Sequence, residues 1–240
     1  PIGDTTKGFA GELRGNGHTV RNLYISSTKN DQGLIGLLNT NGKVHDLTVT
    51  GSVITTGKDA AGIVGKAKTK TTIVNCLNRA DVTAASSAAG VVGLAGGMVS
   101  NAAVAKNAPA ITGCGNTGTI TATDAAGCAA GVASVTGLFP MRGGVMKDCF
   151  NVGTVTGAGK SGAVTNTINK MKQADGGGNY FLAGCLHGSG DEPVIGTGKT
   201  ADELMEMLKD RTDPVGKGLY EALQAIKDQT AADAVIEKIA

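Results

Sequence analysis

Five cysteines, three histidines and a sparse set of carboxylates are the residues of this 240-residue chain that could do chemistry. Zinc sites draw on Cys pairs two to four residues apart. Cys76, Cys114, Cys128, Cys149 and Cys185 contain no such pair, so zinc is not expected. His18 and His45 have no nucleophile motif beside them and read as turn or surface residues. The carboxylates of residues 1–185 are Asp4, Glu12, Asp31, Asp46, Asp59, Asp81, Asp124, Asp148 and Asp175. A glycosidase or lyase needs two of them facing one groove, or an Asp cluster that holds calcium. Only Asp46 and Asp148 share a repeat position, with two repeats between them, and that makes no catalytic pair. Gly159-Lys160-Ser161 and Gly198-Lys199-Thr200 resemble the ends of phosphate loops. The Gly that should stand five positions earlier is Thr154 in one and Pro193 in the other, so the amides cannot wrap a phosphate. No catalytic residue, cofactor or metal is expected.

The element that must position these side chains is a segment that recurs four times. It reads Leu47-Thr-Val-Thr-Gly-Ser-Val53, Cys76-Leu-Asn-Arg-Ala-Asp-Val82, Cys114-Gly-Asn-Thr-Gly-Thr-Ile120 and Cys149-Phe-Asn-Val-Gly-Thr-Val155. A Gly-rich apolar run follows each: Ala61-Gly-Ile-Val-Gly65, Ala89-Gly-Val-Val-Gly93, Ala130-Gly-Val-Ala-Ser134 and Ser161-Gly-Ala-Val-Thr165, the last two degraded at Ser134 and Thr165. Self-similarity at this period implies stacked repeats, here a mainly β solenoid. Stacking in register would build structural ladders: an inward thiol column of Cys76, Cys114 and Cys149, and a carboxamide ladder of Asn78, Asn116 and Asn151. Parallel thiols point the same way and fit disulfide geometry poorly, so free buried Cys are expected. The Asn and the following Gly or Ala are expected at a left-handed corner. A last, degenerate copy is expected at Asn179–Cys185.

Composition agrees with narrow stacked layers. Gly numbers 38, aromatics make up 3% and Trp is absent, so Val, Ile, Leu, Ala and Cys must fill the interior. Residues 200–240 hold five Lys/Arg against nine Asp/Glu, net −4, which leaves +6 on the rest. That positive charge is scattered, and nucleic-acid binding needs a concentrated basic footprint, so nucleic acid is not an expected partner. No apolar run approaches the ~20 residues that span a bilayer, so membrane insertion of this segment is not expected. The chain opens on Pro1-Ile-Gly inside a strand-like stretch, and its start says nothing about compartment.

Gly15-Asn16-Gly17 signals a tight turn between two short strands, the second alternating Val20, Asn22, Tyr24 with Arg21, Leu23, Ile25. From Thr200 the pattern becomes helical: Thr200-Ala-Asp-Glu203 has the spacing of a capping box, and Asp213-Pro214 breaks the first helix. A second helix is expected from Gly218 and a third over Ala231–Ile239. The expected organisation is a solenoid over 1–198 and a helical cap, or a linker to a further domain, over 199–240.

Pro1-Ile-Gly, Gly15-Asn-Gly-His-Thr-Val-Arg-Asn-Leu-Tyr-Ile25, Gly33-Leu-Ile-Gly36 and the recurrent Asn-Cys-x-Asn-x-Gly-x-Val motif resemble bacterial cell-surface proteins that carry GLUG repeats. The resemblance covers about residues 1–185. It implies a right-handed parallel β-helix on an exported bacterial protein, with an adhesin-like or protease-accessory role and no catalytic residues. The expected function is therefore a non-catalytic adhesion or stalk module at the cell surface. A host glycan or extracellular-matrix protein is the expected partner, bound through loops around 95–110 and 121–130. A carbohydrate-active enzyme on the same scaffold is the alternative, and a purely structural spacer the third reading.

Overall fold

The computed structural model describes residues 1–96, 109–134, 145–159, 161–166, 174–175, 177–188 and 195–239. The protein is mainly β with two helices, and every strand pairing among the described residues is parallel. Equivalent segments of successive repeats lie side by side. One ladder runs Glu12–Arg14, Lys43–His45, Thr72–Val74, Ala110–Thr112, Val145–Lys147, Ala174–Asp175. A longer sheet follows it in each repeat, built on Thr19–Ser27, Thr48–Thr55 and Leu77–Ala84 and continued by shorter strands to Thr197–Lys199. Two three-stranded ladders complete the repeats they span: Asp59–Ala61 with Ser87–Ala89 and Cys128–Ala130, and Ile35–Leu38 with Val64–Ala67 and Val92–Ala95.

The interior is built of ladders, many of them β-branched, because equivalent positions fall one above another about 4.8 Å apart. Val53, Val82, Ile120 and Val155 pair in register and are fully buried. So are Val44, Ile73, Ile111 and Met146. Between the first ladder and the long sheet the chain turns through positive φ at Asp46 (55°), Asn75 (51°), Gly113 (64°), Asp148 (53°) and Gly178 (72°). Asp, Asn and Gly are the residues that tolerate this backbone. The shared repeat position of Asp46 and Asp148 is therefore a corner requirement.

This relocates the expected Asn corner. Asn78, Asn116 and Asn151 sit three residues further on and are fully buried. Gly118 and Gly153 are needed for closeness: a Cβ there would lie 2.1 Å from the carbonyl oxygen of Ala80 or Gly118 in the neighbouring strand. Gly15-Asn16-Gly17 does turn the chain, but the flanking strands pair with the next repeat and not with each other. The alternation expected over 20–25 also breaks. A bulge between Val20 and Leu23 puts Val20, Leu23 and Ile25 against the core and leaves Arg21, Asn22 and Tyr24 outside.

The helices depart from expectation twice. Helix α1 (Ala201–Leu208) begins with the capping box, Thr200 Oγ1 accepting from the Glu203 amide and Glu203 accepting from the Thr200 amide. Helix α2 then runs unbroken over Pro214–Ile239 where two helices were expected, since nothing between Gly218 and Ala231 stops a helix. Nor do the helices cap the stack. Leu204, Met205, Leu208, Val215, Leu219 and Leu223 pack with Leu77, Phe150 and Val152 on the outside of the long sheet. Among the described residues no side chain of the terminal strand Thr197–Lys199 joins this cluster. The outward positions of the long sheet turn apolar at Leu77, and an amphipathic helix goes where apolar surface is left open.

Candidate functional site

The ladder residues of the sequence are interior. Asn78 Nδ2 donates to Asn116 Oδ1 (2.7 Å) and Asn116 Nδ2 to Asn151 Oδ1 (2.8 Å). Asn116 also donates to the Gly118 carbonyl (3.0 Å) and accepts from the Gly118 amide (3.2 Å), so both its donors and both its acceptor sites are used. Each carboxamide faces a glycine across the interior. A Cβ at Gly62 would lie 1.8 Å from Asn78 Oδ1, and one at Gly90 would lie 2.6 Å from Asn116 Oδ1. The Asn-x-Gly and Ala-Gly-x-Val-Gly motifs are thus two sides of one contact. The series ends where Asn151 Nδ2 meets Cys185 Sγ at 3.4 Å.

Cys76, Cys114 and Cys149 are free and fully buried, their thiols set against backbone carbonyls at 3.2 to 3.8 Å. Burial pushes the Cys114 and Cys149 thiols well up, which makes them inert as nucleophiles. In the last repeat Asn179 takes the column's place and accepts from the Cys149 amide at 3.0 Å. Ser134, a departure from Gly in the sequence, is also inside: its hydroxyl lies 2.6 Å from Ser87 Oγ and accepts from Asn166 Nδ2 at 2.5 Å.

Of the expected binding loops, residues 97–108 lie outside the described residues. Residues 121–130 form strand ends and a corner rather than a long loop, with Cys128 buried.

Two groupings that the sequence did not reveal lie in the first repeats. Asp31 and Asp59 stand in equivalent positions of adjacent strands and hydrogen-bond to each other. Burial, then the Asp31 charge, push Asp59 up to about 7, against the pull of Lys66. Asp31 is raised by burial. The pair was legible in Asp31-Gln-Gly-Leu-Ile-Gly36 set against Asp59-Ala-Ala-Gly-Ile-Val-Gly65, but a one-residue gap hid the alignment. Asp31 also lines a cleft of about 840 Å3 with residues 23–32 and the opening segment.

The second grouping is a cleft of about 480 Å3 on the outer face of the long sheet, lined by Thr19, Arg21, Asn22, Thr48, Thr50 and Arg79. The bulge, with Asn22 at φ 56°, makes this cleft by presenting Arg21 and Asn22 on one side. The Asn22 amide donates to Thr50 Oγ1 at 3.3 Å. Thr48 is only 6% exposed, and its hydroxyl has no hydrogen-bond partner among the described residues. Arg21 makes no ion pair among them, and Arg79 meets only the exposed Glu221 of α2, at 3.2 Å. Strict alternation in the sequence would have put Arg21 on the opposite face from Asn22.

A crevice of about 440 Å3 beside the helices contrasts with it. Phe150 and Tyr180 stand there with ring centroids 5.5 Å apart. Arg211 lies 5.7 Å over Phe150, already held by both oxygens of Asp213 at 2.8 Å. Among the described residues no group of three His, Cys, Asp or Glu could hold a metal, and no helix is long and apolar enough to cross a membrane.

No known family profile matches the chain. Halomucin of Haloquadratum walsbyi is 42% identical over 67 residues, 27% of this chain and 1% of that protein. A protein of Evansella cellulosilytica, provisionally named a Gly-rich membrane protein, is 38% identical over 66 residues, 27% of this chain and 8% of that one. The chain thus spans a small part of each relative. Among solved structures, a Bacteroides ovatus protein for which immunoglobulin A1 protease activity has been proposed aligns at TM-score 0.59 and 16% identity, over 82% of this chain and 71% of its own. That likeness is one of fold.

Proposed function

We propose that the chain is a right-handed parallel β-helix of the GLUG-repeat kind, serving an exported or surface-attached bacterial protein as a non-catalytic binding or stalk module. The observation that carries this reading is the division of labour in the stack. Its repeat-defining residues are consumed by interior ladders, while polar side chains on the outer face of the first repeats remain open. The partial relatives, one a halomucin and one named as a membrane protein, support a surface setting. A host glycan or matrix protein is the partner class, and the helices brace the side of the scaffold. The test is binding of the purified chain to arrays of glycans and matrix proteins: a saturable hit supports the module, and a blank from folded protein leaves a spacer.

A second reading, a carbohydrate-active enzyme, is favoured by the Asp31–Asp59 pair, of which Asp31 lines a cleft. The pair shares one hydrogen bond, whereas glycosidase carboxyls stand roughly 5 to 9.5 Å apart to flank a sugar. The non-catalytic reading therefore stands first. Turnover of a polysaccharide that Asp59→Asn abolishes would reverse the order.

A further inference from the structure

We propose that the Thr19–Arg79 cleft is an anion-binding site for acidic glycans, with Arg21 and Arg79 gripping a sulfate or carboxylate and Tyr24 supporting the sugar ring. This deepens the binding-module reading and rests on it.

Three observations converge. First, the bulge adds an outward position to the first repeat, and Arg occupies it. Thr50 and Arg79 are register partners in the next two repeats, so the two guanidinium groups flank one hydroxyl-bearing position. Forked guanidinium donors match the oxygens of sulfate and carboxylate. Second, Thr48 is more than nine-tenths buried, lines the cleft and keeps an unpartnered hydroxyl, which a ligand oxygen would satisfy. Third, the acidic groups nearby are otherwise engaged or exposed. Asp81 accepts from the Thr119 amide at 2.8 Å, and Glu221 reaches Arg79 from an exposed position that a bound anion can displace.

Tyr24 favours a sugar over a bare ion. It is 73% exposed and lines the neighbouring cleft, two residues beyond Asn22 on the same outward side, about 7 Å along the strand. An amphipathic ring presented to solvent beside hydroxyl and amide groups suits a pyranose face and its rim of hydroxyls. Two arginines and one tyrosine are too small a footprint for a nucleic-acid strand, which needs a basic track with several stacking rings.

The test is calorimetric titration of the full chain with a heparin tetrasaccharide, an oligogalacturonate, a neutral chitooligosaccharide, inorganic sulfate and a single-stranded DNA oligonucleotide. Binding of one or both acidic sugars is expected, weakened by salt. Arg21→Gln and Arg79→Gln should each weaken it roughly tenfold, as expected for charged hydrogen bonds. Glu221→Gln should tighten it about two- to threefold by releasing Arg79. Tyr24→Ala should weaken oligosaccharide binding and leave inorganic sulfate unchanged. All four positions are exposed, and unchanged circular dichroism verifies folding. Binding of a neutral sugar that ignores both arginines would overturn the site and leave the binding-module reading standing. DNA binding as tight as that of the acidic sugars would overturn the glycan assignment. Failure of the folded protein to bind any glycan, here and on the arrays, would overturn both.

Discussion

Along one set of outward positions, Thr19 and Thr48 give way to Leu77, Gly115 and Phe150. Helices α1 and α2 pack on the second group, while beside the first the cleft between Arg21 and Arg79 stays open, with Thr48 buried at its base. Two things differ: the backbone bulge between Val20 and Leu23 in the open half, and the residue type at each outward position. Leu77 and Phe150 supply apolar surface, and Gly115 supplies closeness: a Cβ there would meet Val215, Leu77 and Leu219 at 3.0 to 3.2 Å. In the covered half Arg211 is held by both oxygens of its own carboxylate partner. In the open half Arg21 has none among the described residues. One half has solved its electrostatics internally, and the other presents them.

The largest effect should come from the interior carboxamide ladder, which begins at Asn78 beside Val49 of the open half. Asn116→Leu strips partners from Asn78, Asn151 and both backbone groups of Gly118, and should cost about 4 kcal/mol by chemical denaturation. An equal loss of structure in the helices and the open half would show that the two rest on one support. A loss confined to either would break the comparison.

Next is the brace. Leu219 is fully buried between α2 and the sheet, and Leu219→Ala should cost about 3 kcal/mol. Hydrogen exchange should then rise in α2 and around Leu77 and Phe150 and stay low in Val44 and Val49. Equal exchange everywhere would mean that the helices are integral to the stack and not a cover upon it.

A smaller, pH-dependent effect belongs to the first repeats. Asp59 keeps its proton up to about 7 in the fold and releases it near 4 when unfolded. The native state therefore binds more protons across that window, and stability should fall as pH rises from about 4 to about 7, then level off. Burial raises Asp31 as well, in the same direction. His45, held above its usual value by Asp46 and Glu12, also loses its contribution as pH rises, but at the upper end of the range. Asp59→Asn should flatten the slope between 4 and 7 and leave the His45 part. An unchanged slope would remove the shared proton from the account.

The repeat spacing, the parallel neighbours, the inward Cys and the pairing of successive Asn were legible because repeats laid side by side write their register into sequence at fixed intervals; the burial of the Asn was not, since Asn reads as a corner residue. Nor was the open cleft legible. One inserted backbone position reverses the facing of the residues before it, so Arg21, expected on the face of Leu23, lies on the opposite one. Asp31 and Asp59 escaped for a similar reason, since a one-residue gap separates two otherwise matching runs. Helix placement escaped because amphipathicity says that an apolar face needs cover, not which surface supplies it. Ser134 read as a decayed glycine until its contacts with Ser87 and Asn166 showed a polar thread through the core.

The proposed binding site lies in the open half of the long sheet. Amide chemical-shift mapping of the isotope-labelled chain during titration with a heparin tetrasaccharide would locate it. Perturbations are expected at residues 19–24, 48–52 and 79–81, with Leu77, Phe150 and the facing side of α2 still. Perturbations centred on the Phe150–Tyr180 crevice, or spread evenly over the surface, would contradict that placement.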